Sequence, residues 1–188
     1  MLASADSTSQ RRAWQRTFIL IAAALCAWTL QTSTARADMT IGADLDMHVP
    51  LSVNNVNTGA GFGIRLGTEL HLPLIVLNPE FGFNYASFSK DQPPTVYRGV
   101  AGLRLGIGEL IRFGVYAHVG FGYVSWEPSP YNYNHSGLTY DAGIFLEFTA
   151  LPLLNIGVHA GYARMASKDE QPDPLQWLSL GLHATIVF

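Results

Sequence analysis

The feature that most constrains this chain is an alternation of apolar residues with polar residues or glycine at every second position, repeated in eight stretches. Over residues 41–51, Ile41, Ala43, Leu45, Met47, Val49 and Leu51 alternate with Gly42, Asp44, Asp46, His48 and Pro50. Successive side chains of an extended strand point to opposite faces, so a period of two predicts a strand with one apolar and one polar face. Residues 59–72 repeat the pattern, with Phe62, Ile64, Leu66 and Leu70 opposing Gly61, Gly63, Arg65, Gly67 and Glu69. It returns near 77–87, 96–108, 111–125, 138–149, 154–164 and 175–188. Each stretch approaches the ~9–11 residues a tilted strand needs to cross a bilayer, and no helical period competes.

The connections alternate as well. Residues 52–58, 86–95, 126–137 and 165–174 are polar and rich in Pro, Asn and Asp, whereas the links near residues 72–74, 108–110 and 150–153 are short. Four long loops at one end and three tight turns at the other predict an antiparallel up-and-down meander. Outer-membrane barrels pair short turns on one side with longer loops on the other.

Alternation alone leaves open which face points inward, and a soluble ligand-binding barrel in the periplasm would share the period. Volume decides between them. An eight-stranded barrel encloses only enough space for filling side chains or one small ligand. The apolar face carries Phe62, Phe81, Phe83, Phe113, Phe121, Phe148 and Phe188, too much bulk for that interior. The opposite face mixes many of the chain's 18 glycines with a few ionic residues, a combination that fits a narrow polar lumen. An ionic residue turned to lipid would cost ~2–4 kcal/mol at mid-bilayer. Tyr85, Tyr97, Tyr123, Trp126, Tyr140 and Tyr162 gather near the long loops, as in an interfacial girdle. The expected fold class is therefore all-β: an eight-stranded antiparallel transmembrane β-barrel over residues 38–188.

A leader precedes it. Arg11, Arg12 and Arg16 are followed by an uncharged apolar run over residues 17–30, and Ala35-Arg36-Ala37 stands before Asp38. Positive segment, short apolar segment and a small-x-small site are the parts of a helical signal peptide over residues 1–37, cut between Ala37 and Asp38. An uncleaved anchor is the alternative, and the short apolar run weighs against it. Cleavage removes Cys26, the chain's one cysteine, and leaves seven Lys/Arg against thirteen Asp/Glu. An acidic chain without a thiol or a basic cluster holds no disulfide framework and makes no nucleic-acid surface.

These features, with the ending Leu180-Gly181-Leu182-His183-Ala184-Thr185-Ile186-Val187-Phe188, resemble the small eight-stranded outer-membrane barrels of the OmpA/OmpX type. The resemblance covers the expected mature chain by pattern rather than by motif. It implies residence in a bacterial outer membrane, among outer-membrane lipids and lipopolysaccharide, as a monomer. It also implies that Leu182, Ala184, Ile186 and Phe188 form the C-terminal signal read by the barrel-assembly machinery. The peptidoglycan-binding role of larger relatives is not expected.

The expected inner face carries ten ionic residues: Asp44, Asp46, Arg65, Glu69, Glu80, Arg98, Arg104, Arg112, Asp141 and Glu147. Buried charges are tolerated only when paired, so the favoured reading is a charge network that plugs the lumen. A narrow gated pore is the alternative. The six histidines lie on different strands without HxH or HExxH spacing, so no metal or cofactor site is expected. A lipid-modifying enzyme would need a nucleophile, base and acid near the loop rim. His135-Ser136, with Asp141 and Glu127 nearby in sequence, is the nearest approach, but adjacent residues of an extended segment point apart and the segment reads as a turn. The expectation is a non-enzymatic envelope barrel whose loops, carrying Trp126, Tyr131 and Tyr133, contact external proteins or surfaces.

Overall fold

The computed structural model describes residues 36–51, 56–89, 94–126, 133–151, 153–166 and 175–188. Residues 1–35 of the expected leader, Ala35 included, and much of the four long connections lie outside the described residues; Arg36 and Ala37 already belong to β1. The barrel unit runs Arg36–Phe188.

Eight strands follow in chain order: β1 Arg36–Pro50, β2 Asn57–His71, β3 Val76–Ser89, β4 Thr95–Ile107, β5 Ile111–Trp126, β6 Tyr133–Leu151, β7 Leu154–Met165 and β8 Leu175–Val187. Each pairs antiparallel with the next, and β8 pairs with β1, so the sheet closes into a barrel with no free edge. Closure extends to the chain end, where Met39 and Phe188 exchange backbone hydrogen bonds of 2.9 and 3.0 Å. Following the register once around, from Thr40 through Gly67, Glu80, Gly102, His118, Asp141, Ala163 and Trp177, re-enters β1 at Pro50, ten residues on. That stagger goes with strands tilted by roughly 35–45° and a narrow interior.

The alternation decides the faces. Leu45, Phe81, Phe121 and Leu182 turn outward, between 61% and 74% exposed. Among the described strand residues, Arg164 is the one ionic residue in the outward register. It stands beside Tyr140 and Gln176, at the loop-side rim. Along β5 the outward apolar series runs Ile111 to Tyr123, about 40 Å of strand and about 30 Å along the barrel axis once tilted, enough to span the ~25 Å apolar band of a transmembrane barrel. Tyr85, Tyr97 and Tyr123 stand in register on three adjacent strands, with the Tyr85 and Tyr97 rings 5.3 Å apart. This exterior is made for lipid, because a water-facing surface would not carry so continuous an apolar patch.

The turns are as short as their sequences require. Gly108, between β4 and β5, has φ of 116°, a conformation that a side chain disfavours. Leu153, between β6 and β7, sits at φ 63° without being glycine. The long connections are shorter than the sequence suggests: residues 57–58 belong to β2 and residues 86–89 to β3. Residues 133–137, read as part of a loop, extend β6, with Val124 facing His135 and Tyr123 facing Ser136. Pairing with β5 outweighs the local turn preference of Asn134-His135-Ser136-Gly137.

Candidate functional site

The interior divides into three layers. The layer nearest the short turns takes one polar side chain from each strand: Thr40, Glu69, Asn78, Arg104, Arg112, Glu147, Asn155 and Thr185, all buried. Arg112 Nη1 donates to Glu69 at 2.8 Å and to Glu147 at 3.4 Å; Arg104 Nη2 lies 3.6 Å from Glu147. Asn155 adds a longer contact to Glu69, 3.4 Å. The Arg104 guanidinium also lies 4.2 Å from the centre of the Phe145 ring, a cation–π contact inside the barrel.

The middle layer is a continuous chain of charge-assisted hydrogen bonds through six consecutive strands. Arg65 donates to Asp44 at 2.8 Å and to Glu80 at 2.9 Å. Glu80 meets His118 Nε2 at 2.8 Å, His118 Nδ1 meets Asp141 at 2.7 Å, and Arg98 donates to Asp141 at 2.9 Å. Both His118 nitrogens face carboxylate oxygens. A neutral imidazole has one donor, so this geometry is that of an imidazolium donating twice. On the remaining side, His159 Nε2 meets Asp46 at 2.7 Å and His183 Nε2 meets Glu147 at 2.9 Å, which ties this layer to the one below. The structure thus brings all ten ionic residues named from the sequence into the lumen. Each of them makes at least one contact to an oppositely charged or histidine partner. A polar cavity of about 50 Å³ remains between Asp44, Tyr116, His159 and their neighbours, enough for a few waters.

The loop-side layer is apolar, and sequence reasoning did not identify it as a unit. Val56, Ala86, Phe88, Val96, Val124, Ala163, Met165 and Trp177 pack into one buried cluster. Val96 and Trp177 are 0% exposed and Phe88 1%. Trp177 meets the Phe88 ring edge-on at 6.1 Å and lies 5.0 Å from the Arg98 guanidinium, joining the apolar layer to the charged one. The inward phase of each strand carries on into these residues, and that phase was the signal available for finding them.

The remaining sequence candidates separate. His135 points inward, its Nε2 3.4 Å from the Ala166 carbonyl, while Ser136 is exposed on the outer face. Asp141, six residues along β6 and so roughly 20 Å away, is held by Arg98 and His118. Glu127 and Tyr131 lie outside the described residues, as do the side chains of Trp126 and Tyr133. Ala37 and Asp38 stand at the start of β1, opposite Leu70 and Glu69. Leu182, Ala184, Ile186 and Phe188 lie along the outer face at the end of the chain. One metal-competent group exists among the described residues: Asp44, His159 and His183 offer ligand atoms all within 4.8 Å of one another.

No family model matches the chain, and no curated protein matches it in sequence. Solved structures do. Neisserial surface protein A superposes with a TM-score of 0.61 at 11% identity, covering 81% of this chain and 99% of that one. A major outer membrane protein from Thermus thermophilus gives 0.55 at 12% identity, covering 81% of this chain and 100% of that one. Ail, the attachment invasion locus protein of Yersinia pestis, gives 0.53 at 17% identity, covering 81% and 97%. Closure, register, an apolar exterior and these superpositions agree that the chain has the fold of the small eight-stranded outer-membrane β-barrels of the OmpA/OmpX type.

Proposed function

We propose that the protein is a non-enzymatic, non-conducting integral barrel of the bacterial outer membrane that supports the envelope or presents its loops to external partners. The observation that carries this reading is the filled lumen. Two layers of paired charges and one of packed apolar side chains occupy the interior, while the exterior is apolar from turn to rim. Conduction would require displacing Trp177, Phe88 and Val96 as well as breaking ion pairs. The dispersal of His135, Ser136 and Asp141 weighs against hydrolysis at the rim. Outer-membrane lipid and lipopolysaccharide are the surroundings this exterior suits. Leu182, Ala184, Ile186 and Phe188, displayed on the last strand, suit recognition by an assembly machinery. The protein acts as a monomer in this reading, since its sheet closes on itself.

Cell fractionation with gel mobility before and after heating tests the placement. The mature chain is expected in the outer-membrane fraction, with faster migration when unheated. A soluble periplasmic product with no heat-dependent shift would overturn it in favour of a ligand-binding barrel.

A further inference from the structure

The pair His159 and His183 has a geometry that a charge plug does not require. His183 on β8 stands directly across from Asp44 on β1, and His159 on β7 stands diagonally across from His183 on the same inner face. Barrel closure alone unites the three. Each imidazole is pinned at Nε2 by a carboxylate: His159 by Asp46 at 2.7 Å, His183 by Glu147 at 2.9 Å. An ionised carboxylate only accepts, so both Nε2 atoms donate and carry the ring proton. With both rings neutral, both Nδ1 atoms are lone pairs facing each other at 3.3 Å, so a cation belongs between them: a proton, which makes one ring an imidazolium, or a metal ion.

A metal ion between them fits the surrounding geometry. Two nitrogens 3.3 Å apart, each ~2.05 Å from one ion, subtend about 107° at it, close to the tetrahedral angle favoured by zinc. A carboxylate on the far ring nitrogen is the usual support of a metal-binding histidine, because it fixes the tautomer and strengthens the ligand. Asp44 places an oxygen within 4.8 Å of both rings, within reach of the same ion after a small side-chain shift. The polar cavity bordered by Asp44 and His159 leaves space for a water as fourth ligand. Charge agrees. The ten ionic residues of the lumen comprise six carboxylates and four guanidiniums; the His118 imidazolium offsets one excess charge and leaves the other unbalanced. Glycines make the room: a Cβ on Gly157 would lie 2.6 Å from His183 Nε2, and one on Gly181 would lie 2.7 Å from His159 Nε2.

We propose that Asp44, His159 and His183 form a binding site for a divalent transition-metal ion of the zinc type inside the barrel, with Asp46 and Glu147 as positioning residues. Imidazole with one carboxylate selects such ions over calcium or magnesium, which take mainly oxygen ligands. The site links β1, β7 and β8 across the seam where the first and last strands meet.

The test uses the full mature chain, folded in bilayer nanodiscs, stripped with chelator and titrated with Zn²⁺ or Co²⁺. Heat-modifiable mobility verifies folding for each variant. The expected result is one ion per chain, with the visible bands of tetrahedral cobalt, and zinc-edge X-ray absorption showing two imidazoles on the wild-type protein. His159→Gln with His183→Gln should abolish the cobalt bands, and Asp46→Asn should weaken binding by about 10–100-fold. No stoichiometric binding by the folded wild type would overturn the proposal. So would binding undiminished in the folded double variant, which would place the ion elsewhere. Should the double variant not fold, an absorption spectrum of the wild type without two imidazole ligands overturns it alone. None of these failures would touch the barrel reading.

Discussion

The loop-side layer of the lumen and the two layers below it fill the same cylinder by opposite chemistry. Above, Phe88, Val96, Met165 and Trp177 exclude water by packing. Below, Arg65, Arg98, Arg104 and Arg112 are matched to carboxylates at hydrogen-bonding or slightly longer distances. Packing stabilises through area removed from water and tolerates modest reshaping. A buried ion network contributes little net stability against an apolar core, yet removal of one partner is severe, because the other charge stays buried and unpaired. In the proposed reading the apolar layer is a seal, and the ionic layers hold neighbouring strands in one register.

This contrast orders a set of substitutions, each read by urea unfolding from lipid vesicles. Arg65→Ala should cost the most, about 3–5 kcal/mol, because Asp44 and Glu80 both lose their guanidinium. If Arg65→Ala costs under about 1 kcal/mol, the network is solvated and the ionic half of the comparison fails. Met165→Ala should cost about 3 kcal/mol, within the ~2–5 kcal/mol range for such truncations, by opening a cavity in the seal. A near-neutral Met165→Ala would mean a loosely packed seal. Ile64→Arg, at the centre of β2 and 56% exposed on the outer face, should cost about 2–4 kcal/mol in a bilayer. The smallest effect belongs to a turn: Leu153→Gly relieves the positive φ and should stabilise by about 1 kcal/mol. A loss instead would assign the exposed Leu153 side chain an anchoring role at the interface.

Much of this was legible in the residues alone. The period of two carried through every strand, so the lipid-facing series and the ionic inner face could be read position by position. What could not be read were the partnerships. Asp44 pairs in register with His183, far away in the chain, only because β8 returns to β1. The stagger then decides that Arg65 reaches Glu80 and His118 bridges Glu80 to Asp141. His159 and His183 share no sequence spacing that would mark them as a pair, since diagonal neighbours across two strands leave no local pattern. The apolar seal escaped for a related reason. Ala86 and Phe88 lie within the stretch 86–95 read as a polar connection and Val96 directly follows it, so none of them registers as strand interior. Near the rim, turn-forming residues at 134–137 disguised the continuation of β6, because local preference is outvoted by pairing along β5.

The claim that joins both regions is that the cylinder is shut, and single-channel recording of the folded wild-type protein in a planar bilayer tests it most directly. A quiet bilayer after verified insertion, without steady conductance steps across the voltage range, is the predicted result. Steady, reproducible single-channel steps from the wild-type chain would contradict it, because ions would then be passing Trp177 and the Arg65 network together.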